Sequence, residues 1–118
     1  MTSALQALYV AMGVGFNLLS VVHHRRTGHT HTPVNPWVGL VIMALYAGVS
    51  TLHVMGIRAG TAGLVIMLVL IVYGGILRHL HPASSNQYTS TAMRRTALAI
   101  NGFGALITIV ALTSQGTP

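Results

Sequence analysis

Long uninterrupted apolar runs, not alternating apolar and polar residues, dominate the pattern along this chain. Four runs contain no Arg, Lys, Asp or Glu and extend over residues 4–22, 37–57, 61–77 and 96–112. A helix needs about 20 apolar residues, within a range of about 17–25, to cross the hydrocarbon core of a bilayer. Barrel strands would instead alternate in polarity over about 10 positions. The pattern therefore predicts an all-α, polytopic membrane protein with four transmembrane helices in an up-down bundle with short loops.

The segments between the apolar runs predict how the helices connect within a single transmembrane domain, residues 1–118. Asn35-Pro36-Trp37 is expected to open helix 2, because proline is tolerated in the first turn and tryptophan favours the membrane interface. Arg58-Ala59-Gly60 is expected to form a tight turn, which makes helices 2 and 3 antiparallel neighbours. The residues before the first run lack a basic segment, which favours a retained first helix over a cleaved signal peptide.

The charge composition narrows the possible chemistry. The 118 residues include six arginines, no Asp or Glu and no cysteine, which gives a net charge of +6. Without Asp, Glu or Cys, the chain lacks carboxylate general acids and bases, thiolate nucleophiles and the carboxylate ligands of Mg²⁺ or Ca²⁺. We therefore expect it not to be an enzyme, although it can be a non-catalytic subunit of one. Nucleic acid is not an expected partner, because most of the arginines flank apolar helices.

The arginines also predict an orientation and a binding surface. Given four spans, the long loops after helices 1 and 3 share one side, which carries Arg25, Arg26, Arg78, Arg94 and Arg95. The other side carries only Arg58 and both termini. Because positive residues favour the cytoplasm, the pattern predicts periplasmic termini and cytoplasmic loops. The use of Arg to the exclusion of Lys suggests a GC-rich bacterial genome, so the expected location is a bacterial inner membrane. The same five arginines are predicted to bind anionic lipid headgroups or acidic residues of a partner.

Histidines on the same predicted face suggest a metal site. The candidate ligands form two closely spaced pairs, His29 with His31 and His79 with His81. Imidazole is a common ligand for transition metals such as Zn²⁺, Cu²⁺ or Ni²⁺. The alternative is that these residues are ordinary interfacial histidines, since neighbouring arginines repel cations and no carboxylate supports a ligating imidazole.

One histidine lies inside a predicted span. Tyr46, Ser50 and His53 are spaced four and three residues apart, so they share one helix face. Ionisable residues within membranes usually point into the bundle. His53 is therefore a candidate to ligate haem or to bond a quinone carbonyl. The alternative is a neutral histidine satisfied by a backbone carbonyl or a neighbouring hydroxyl.

Small and amide residues at helical spacing predict the packing surfaces. Gly13 and Asn17 lie on one stripe of helix 1, and Asn101 and Gly104 lie on one stripe of helix 4. Small residues allow close approach of helices, and asparagine is expected to form hydrogen bonds across helices. Helix 3 has few large polar residues and is the expected lipid-facing helix.

These features lead to one functional hypothesis and two alternatives. The chain is expected to be an accessory or scaffolding subunit of a larger membrane complex, respiratory, photosynthetic, oxygenase or transport, packing against other subunits and anionic lipid. The first alternative is a small homo-oligomeric transporter or channel for a metal ion or anion. The second is a haem- or quinone-binding membrane anchor.

Overall fold

The computed structural model describes residues 2–28, 35–77, 80 and 91–114, and nearly all of them are helical. The helices are α1 (Thr2–Thr27), α2 (Pro36–Val54), α3 (Arg58–Leu70, continued by a π-helical segment, Ile71–Leu77) and α4 (Thr91–Ser114). Four helices in this part of the chain are long and apolar enough to cross a membrane. The predicted all-α, four-span fold class is confirmed.

The helices form an antiparallel ring in which each packs against the next. α1 contacts α2, α2 contacts α3, α3 contacts α4 mainly through its π-helical segment, and α4 returns to α1. One end of the bundle therefore carries Arg25 and Arg26 of α1 beside Arg94 and Arg95 of α4, and we call it the basic end. The opposite end carries Arg58, and we call it the Arg58 end.

A glycine lies at a close approach in every interface of this ring. The pairs are Gly39 with Asn17 (α2–α1), Gly63 with Val49 (α3–α2), Gly75 with Asn101 (α3–α4) and Gly104 with Tyr9 (α4–α1). In each pair, a Cβ atom on the glycine would overlap the facing side chain. Small residues let membrane helices approach closely enough for van der Waals packing to hold them together. The glycines therefore set the positions of all four helices.

The centre of the bundle is filled by side chains from every helix. The buried apolar cluster comprises Tyr9, Met43, Tyr46, Leu64, Met67, Ile71, Ala105 and Ile107. Tyr9 and Tyr46 are fully buried and meet edge to face, with ring centroids 5.0 Å apart and an interplanar angle of 79°. This geometry is the favourable one for two aromatic rings, because the positive edge of one meets the negative face of the other.

Two helix ends extend beyond the apolar runs. α1 continues to Thr27, past the predicted limit of residue 22, and α4 begins at Thr91 and not at residue 96. Arg25 and Arg94 are thus helical. Long basic side chains can reach the membrane interface from inside a helix end. A helix can therefore continue past the residue at which its apolar run ends. The predicted opening of α2 is confirmed, since the Asn35 side chain accepts a hydrogen bond from the Trp37 N–H at 2.9 Å.

The predicted turn at residues 58–60 is wrong. Arg58 is the first residue of α3, and the turn lies three residues earlier, at Met55–Ile57. Gly56 adopts φ +78°, a left-handed conformation that favours glycine and ends α2. Gly60 is instead packed against the α2 backbone near His53. The expectation of antiparallel neighbours holds, because the connection is still short.

We predict that two glycine-to-alanine substitutions in α4 will have opposite effects on stability. Gly104→Ala places a Cβ against the fully buried Tyr9 ring, which cannot move aside, so it should destabilise the bundle by about 1–3 kcal/mol. Gly102→Ala meets no atom within 4 Å and should be neutral or stabilise by about 0.5–1 kcal/mol. Denaturant unfolding in detergent, followed by circular dichroism, measures both. Equal stability of the two variants would contradict the close-approach model.

Candidate functional site

A chain of buried hydrogen bonds, which we call the polar network, links three helices. The Gln6 Nε2 group of α1 donates to the Tyr46 hydroxyl of α2 at 3.2 Å, and Tyr46 lies 2.7 Å from the Thr108 hydroxyl of α4. Thr108 in turn donates to the Gly104 carbonyl at 2.6 Å. Because Thr108 uses its single proton on the Gly104 carbonyl, it accepts the bond from the Tyr46 hydroxyl. One consistent run of donors and acceptors therefore crosses the core.

The residues predicted as a cofactor set, Tyr46, Ser50 and His53, all lie on the buried face of α2. Ser50 accepts a longer bond of 3.4 Å from Gln6 and so joins the same network as Tyr46. His53 bonds to different partners, nearer the Arg58 end. The three side chains thus share one face of α2, but Tyr46 and Ser50 belong to the polar network and His53 does not.

Both ring nitrogens of His53 are bonded within the bundle. Nε2 lies 3.2 Å from the Ala111 carbonyl, and Nδ1 lies 2.9 Å from the Thr61 hydroxyl. A carbonyl only accepts, so Nε2 carries the proton, and Nδ1 then accepts from Thr61 in the neutral ring. Ligation of haem iron would require breaking one of these bonds. The alternative interpretation is a neutral histidine that bonds to a backbone carbonyl or a hydroxyl. The two observed partners of His53 are of these two kinds.

Tyr9 is buried beside the polar network but does not join it. Its hydroxyl is the one buried side-chain polar atom in the described residues without a hydrogen-bond partner. Leaving such a group unpaired in the interior costs about 1–3 kcal/mol. Tyr9 is therefore a local departure from a core whose other buried side-chain polar atoms, in the described residues, are hydrogen-bonded.

The two asparagines predicted at packing surfaces occupy equivalent environments. The Asn17 amide donates to the Gly13 carbonyl at 2.7 Å, and the Asn101 amide donates to the Ala97 carbonyl at 2.9 Å. Both bonds are within one helix, so the expectation of hydrogen bonds across helices is wrong. Each amide packs across the interface against a glycine instead, as described above. Gly13 itself faces Met43 of α2, and a Cβ there would overlap its side chain.

A cavity of about 200 Å³, the inner cavity, lies between all four helices toward the basic end. Its polar lining consists of Asn17, Asn101 and Tyr9, and the π-helical segment supplies Gly74 and Gly75. π-helical segments are rare and are frequent at functional sites. The inner cavity therefore brings together the sequence-predicted asparagines and the unpaired tyrosine.

Only part of the predicted anion-binding surface lies in the described residues. Arg25, Arg26 and Arg95 are exposed at the basic end, and Arg94 donates to the Leu80 carbonyl at 3.2 Å. Arg78 and the predicted metal ligands His29, His31, His79 and His81 lie outside the described residues. Within them, no three metal-binding side chains come together. The metal site stays a prediction.

Sequence reasoning missed Gln6, which anchors the polar network, and Thr61, which bonds to His53. For Gln6 a signal was present: Tyr9 lies four residues before Gly13, and Gln6 lies three residues before Tyr9, so both fall on the helix 1 stripe of Gly13 and Asn17. Thr61 lacked such a signal, because a threonine at the start of an apolar run commonly bonds its own helix.

The protein is an all-α bundle whose four helices are long and apolar enough to cross a membrane, with a polar network buried at its centre. No protein-family model, curated protein or solved structure matches this chain. Its function must therefore be argued from the surfaces and cavities of the bundle itself.

We predict that the same substitution at two contacting tyrosines will differ in effect. Tyr46→Phe removes the hydroxyl that joins Gln6 to Thr108 and leaves a buried amide short of a partner, so it should cost about 1–3 kcal/mol. Tyr9→Phe removes a hydroxyl that has no partner and should leave the free energy of unfolding unchanged or raise it. Denaturant titration of both purified variants tests this. A larger loss for Tyr9→Phe would show that the polar network is misassigned.

Proposed function

We propose that this chain is a non-catalytic accessory subunit that docks a transmembrane helix of another membrane protein between α1 and α2. The observation that carries the proposal is a patch of small residues on the outer surface of these two helices, which we call the small-residue face. It consists of Ser3, Ala7 and Ala11 of α1 with Ala44, Gly48 and Thr51 of α2, all exposed.

All four helices expose large apolar side chains outside the small-residue face. Examples are Leu8 and Leu19 (α1), Val41 and Leu45 (α2), Ile66 (α3) and Leu106 (α4). Such side chains suit contact with lipid tails. Small residues are typical of helix–helix interfaces in membranes, because they let a second helix come close. The small residues therefore support a protein partner at this face, and the large side chains support lipid contact over the rest of the outer surface.

Part of the small-residue face borders a groove of about 400 Å³, which runs between α1 and α2 toward the Arg58 end. Ser3, Ala7 and Thr51 of the face line it, together with the larger Val10, Val54 and Met55. Ridges of one helix pack into grooves of another, so the shape suits a helix carrying large apolar side chains. Ser50 at the groove floor adds a hydroxyl within reach of a polar group on that helix.

Charge supports a different chain, not a second copy, as the occupant. A helix that crosses the membrane in this groove would end beside Arg25 and Arg26, the exposed residues at the other end of α1. This chain contains no Asp or Glu, so a second copy would bring more arginine and no side-chain carboxylate to that position. A partner with acidic residues there would form charge-assisted hydrogen bonds. Anionic lipid headgroups would occupy the remaining arginines.

The proposal includes a location in a bacterial cytoplasmic membrane, with the basic end in the cytoplasm and the Arg58 end outside. The support is the concentration of arginine at the basic end, which orients membrane helices during insertion.

We predict that single cysteines will report this orientation, which is practical because the chain has none of its own. Ser114→Cys lies at the Arg58 end, and Thr27→Cys lies at the basic end; both positions are exposed. A membrane-impermeant maleimide should label Ser114→Cys in intact spheroplasts and Thr27→Cys only after permeabilisation. The reverse pattern would overturn the orientation.

We predict that filling the groove will release the partner. Ala7→Leu places a large side chain in the groove, whereas Ala62→Leu places the same side chain on the exposed surface of α3. After purification from native membranes in mild detergent, mass spectrometry should find a partner membrane protein with the wild type and with Ala62→Leu. Recovery with Ala7→Leu should fall at least tenfold, because the added side chain occupies the space of the partner helix. A tenfold fall corresponds to a loss of about 1.4 kcal/mol in the free energy of binding.

Two outcomes would contradict the subunit proposal. One is recovery of the wild-type chain only as a homo-oligomer, which would make a second copy the occupant of the small-residue face. The other is equal recovery of the same partner with Ala7→Leu and Ala62→Leu, which would place the interface elsewhere.

A further inference from the structure

We propose that the inner cavity binds an uncharged, single-ring molecule that carries hydroxyl or carbonyl oxygens, a ligand of phenol or quinone type. This inference goes beyond the subunit proposal and does not depend on it, because the cavity lies inside the bundle and the small-residue face lies outside. It rests on the size, the polar groups, the charge and the opening of the cavity.

The size of the inner cavity sets the size of the ligand. Its volume is about 200 Å³. A dry cavity of about 150 Å³ in another protein accommodates benzene. The inner cavity therefore has room for one six-membered ring with one or two small substituents, but not for a fused ring system or a haem.

The polar groups at the inner cavity can recognise oxygen substituents. Asn17 and Asn101 line it from α1 and α4, and each amide forms a single hydrogen bond within the described part of the chain, to its own helix. A primary amide has two donor hydrogens and one carbonyl acceptor, so each retains one N–H and its oxygen. Tyr9 borders the cavity, but its side chain is fully buried and its hydroxyl does not face the open volume. A bound hydroxyl or carbonyl would give the two amides the partners that the bundle does not provide.

The remaining lining selects an uncharged ring. Phe16, Ile42, Met43 and Ile71 provide apolar and aromatic contact, and no charged side chain lines the inner cavity among the described residues. An ion entering this site would lose its hydration without a counter-charge, at a large cost. An aromatic or quinonoid ring loses little on leaving water and gains contact with Phe16 and the apolar lining.

The inner cavity opens sideways, between α2 and α3. Its exposed lining residues are Val38 on α2 and Leu70 and Gly74 on α3, and Gly74 meets no atom within 4 Å where a Cβ would stand. Because these helices are of membrane-spanning length, this side faces the hydrocarbon. A ligand dissolved in the bilayer would therefore enter past Gly74, where the π-helical segment forms the rim.

Fluorine NMR with 4-fluorophenol as the probe tests the site in the full chain purified in detergent. We expect a saturable shift of the probe signal that unlabelled phenol reverses and 1-naphthol, with two fused rings, does not. Gly74→Leu fills the rim and should abolish the shift. Gly15→Leu is the matched control, because Gly15 also meets no atom within 4 Å but does not line the inner cavity.

A second variant tests the recognition chemistry with little change in the shape of the site. Asn17→Leu replaces the amide with an apolar side chain of similar size, so it should raise the dissociation constant of the probe about three- to tenfold while the helical circular dichroism stays unchanged. No saturable shift with the wild type would overturn the proposal. Equal shifts for wild type, Gly74→Leu and Asn17→Leu would also overturn it, by placing the probe in detergent or in the outer groove.

Discussion

Close packing of helices at glycine is the interaction on which the rest of this bundle depends. Lipid tails are as apolar as the side chains, so burying apolar surface provides little drive for helices to associate in a membrane. Each interface of the ring instead has a glycine against a larger side chain, such as Gly104 against Tyr9 or Gly75 against Asn101. Dispersion between well-fitted surfaces then holds the helices, because many small contacts add up.

The polar network is a consequence of that packing. Gln6, Tyr46 and Thr108 belong to three different helices and meet only when the helices are close enough for bonds of 2.7–3.2 Å. In a low-dielectric core such bonds are strong when formed, and unformed ones are costly. The network therefore adds specificity to the packing, since a rotated or shifted helix would leave Gln6 unpaired. His53 acts in the same way nearer the Arg58 end, joining α2 to α3 and α4.

Two departures from this satisfied core coincide with the two proposed binding regions. At the inner cavity, Tyr9 has no partner, both amides retain bonding capacity, and the wall is π-helical. At the small-residue face, α1 and α2 expose alanine, glycine and hydroxyl residues beside a groove. A bundle that only needed to be stable in lipid would gain by filling the first and enlarging the side chains of the second. Functional sites are where such local rules are commonly broken.

The amino-acid sequence by itself determined the number of spans and the side on which arginine concentrates, because hydropathy and charge are read along one dimension. It also indicated that Asn17, Gly13, Asn101 and Gly104 share stripes, because helical spacing is regular. Only the tertiary structure decided how those stripes meet. That Gln6 bonds to Tyr46 and that Asn101 packs on Gly75 depends on the rotation and register of each helix. Those are set by the fit of side chains distant in sequence, and spacing within one helix carries no information about them.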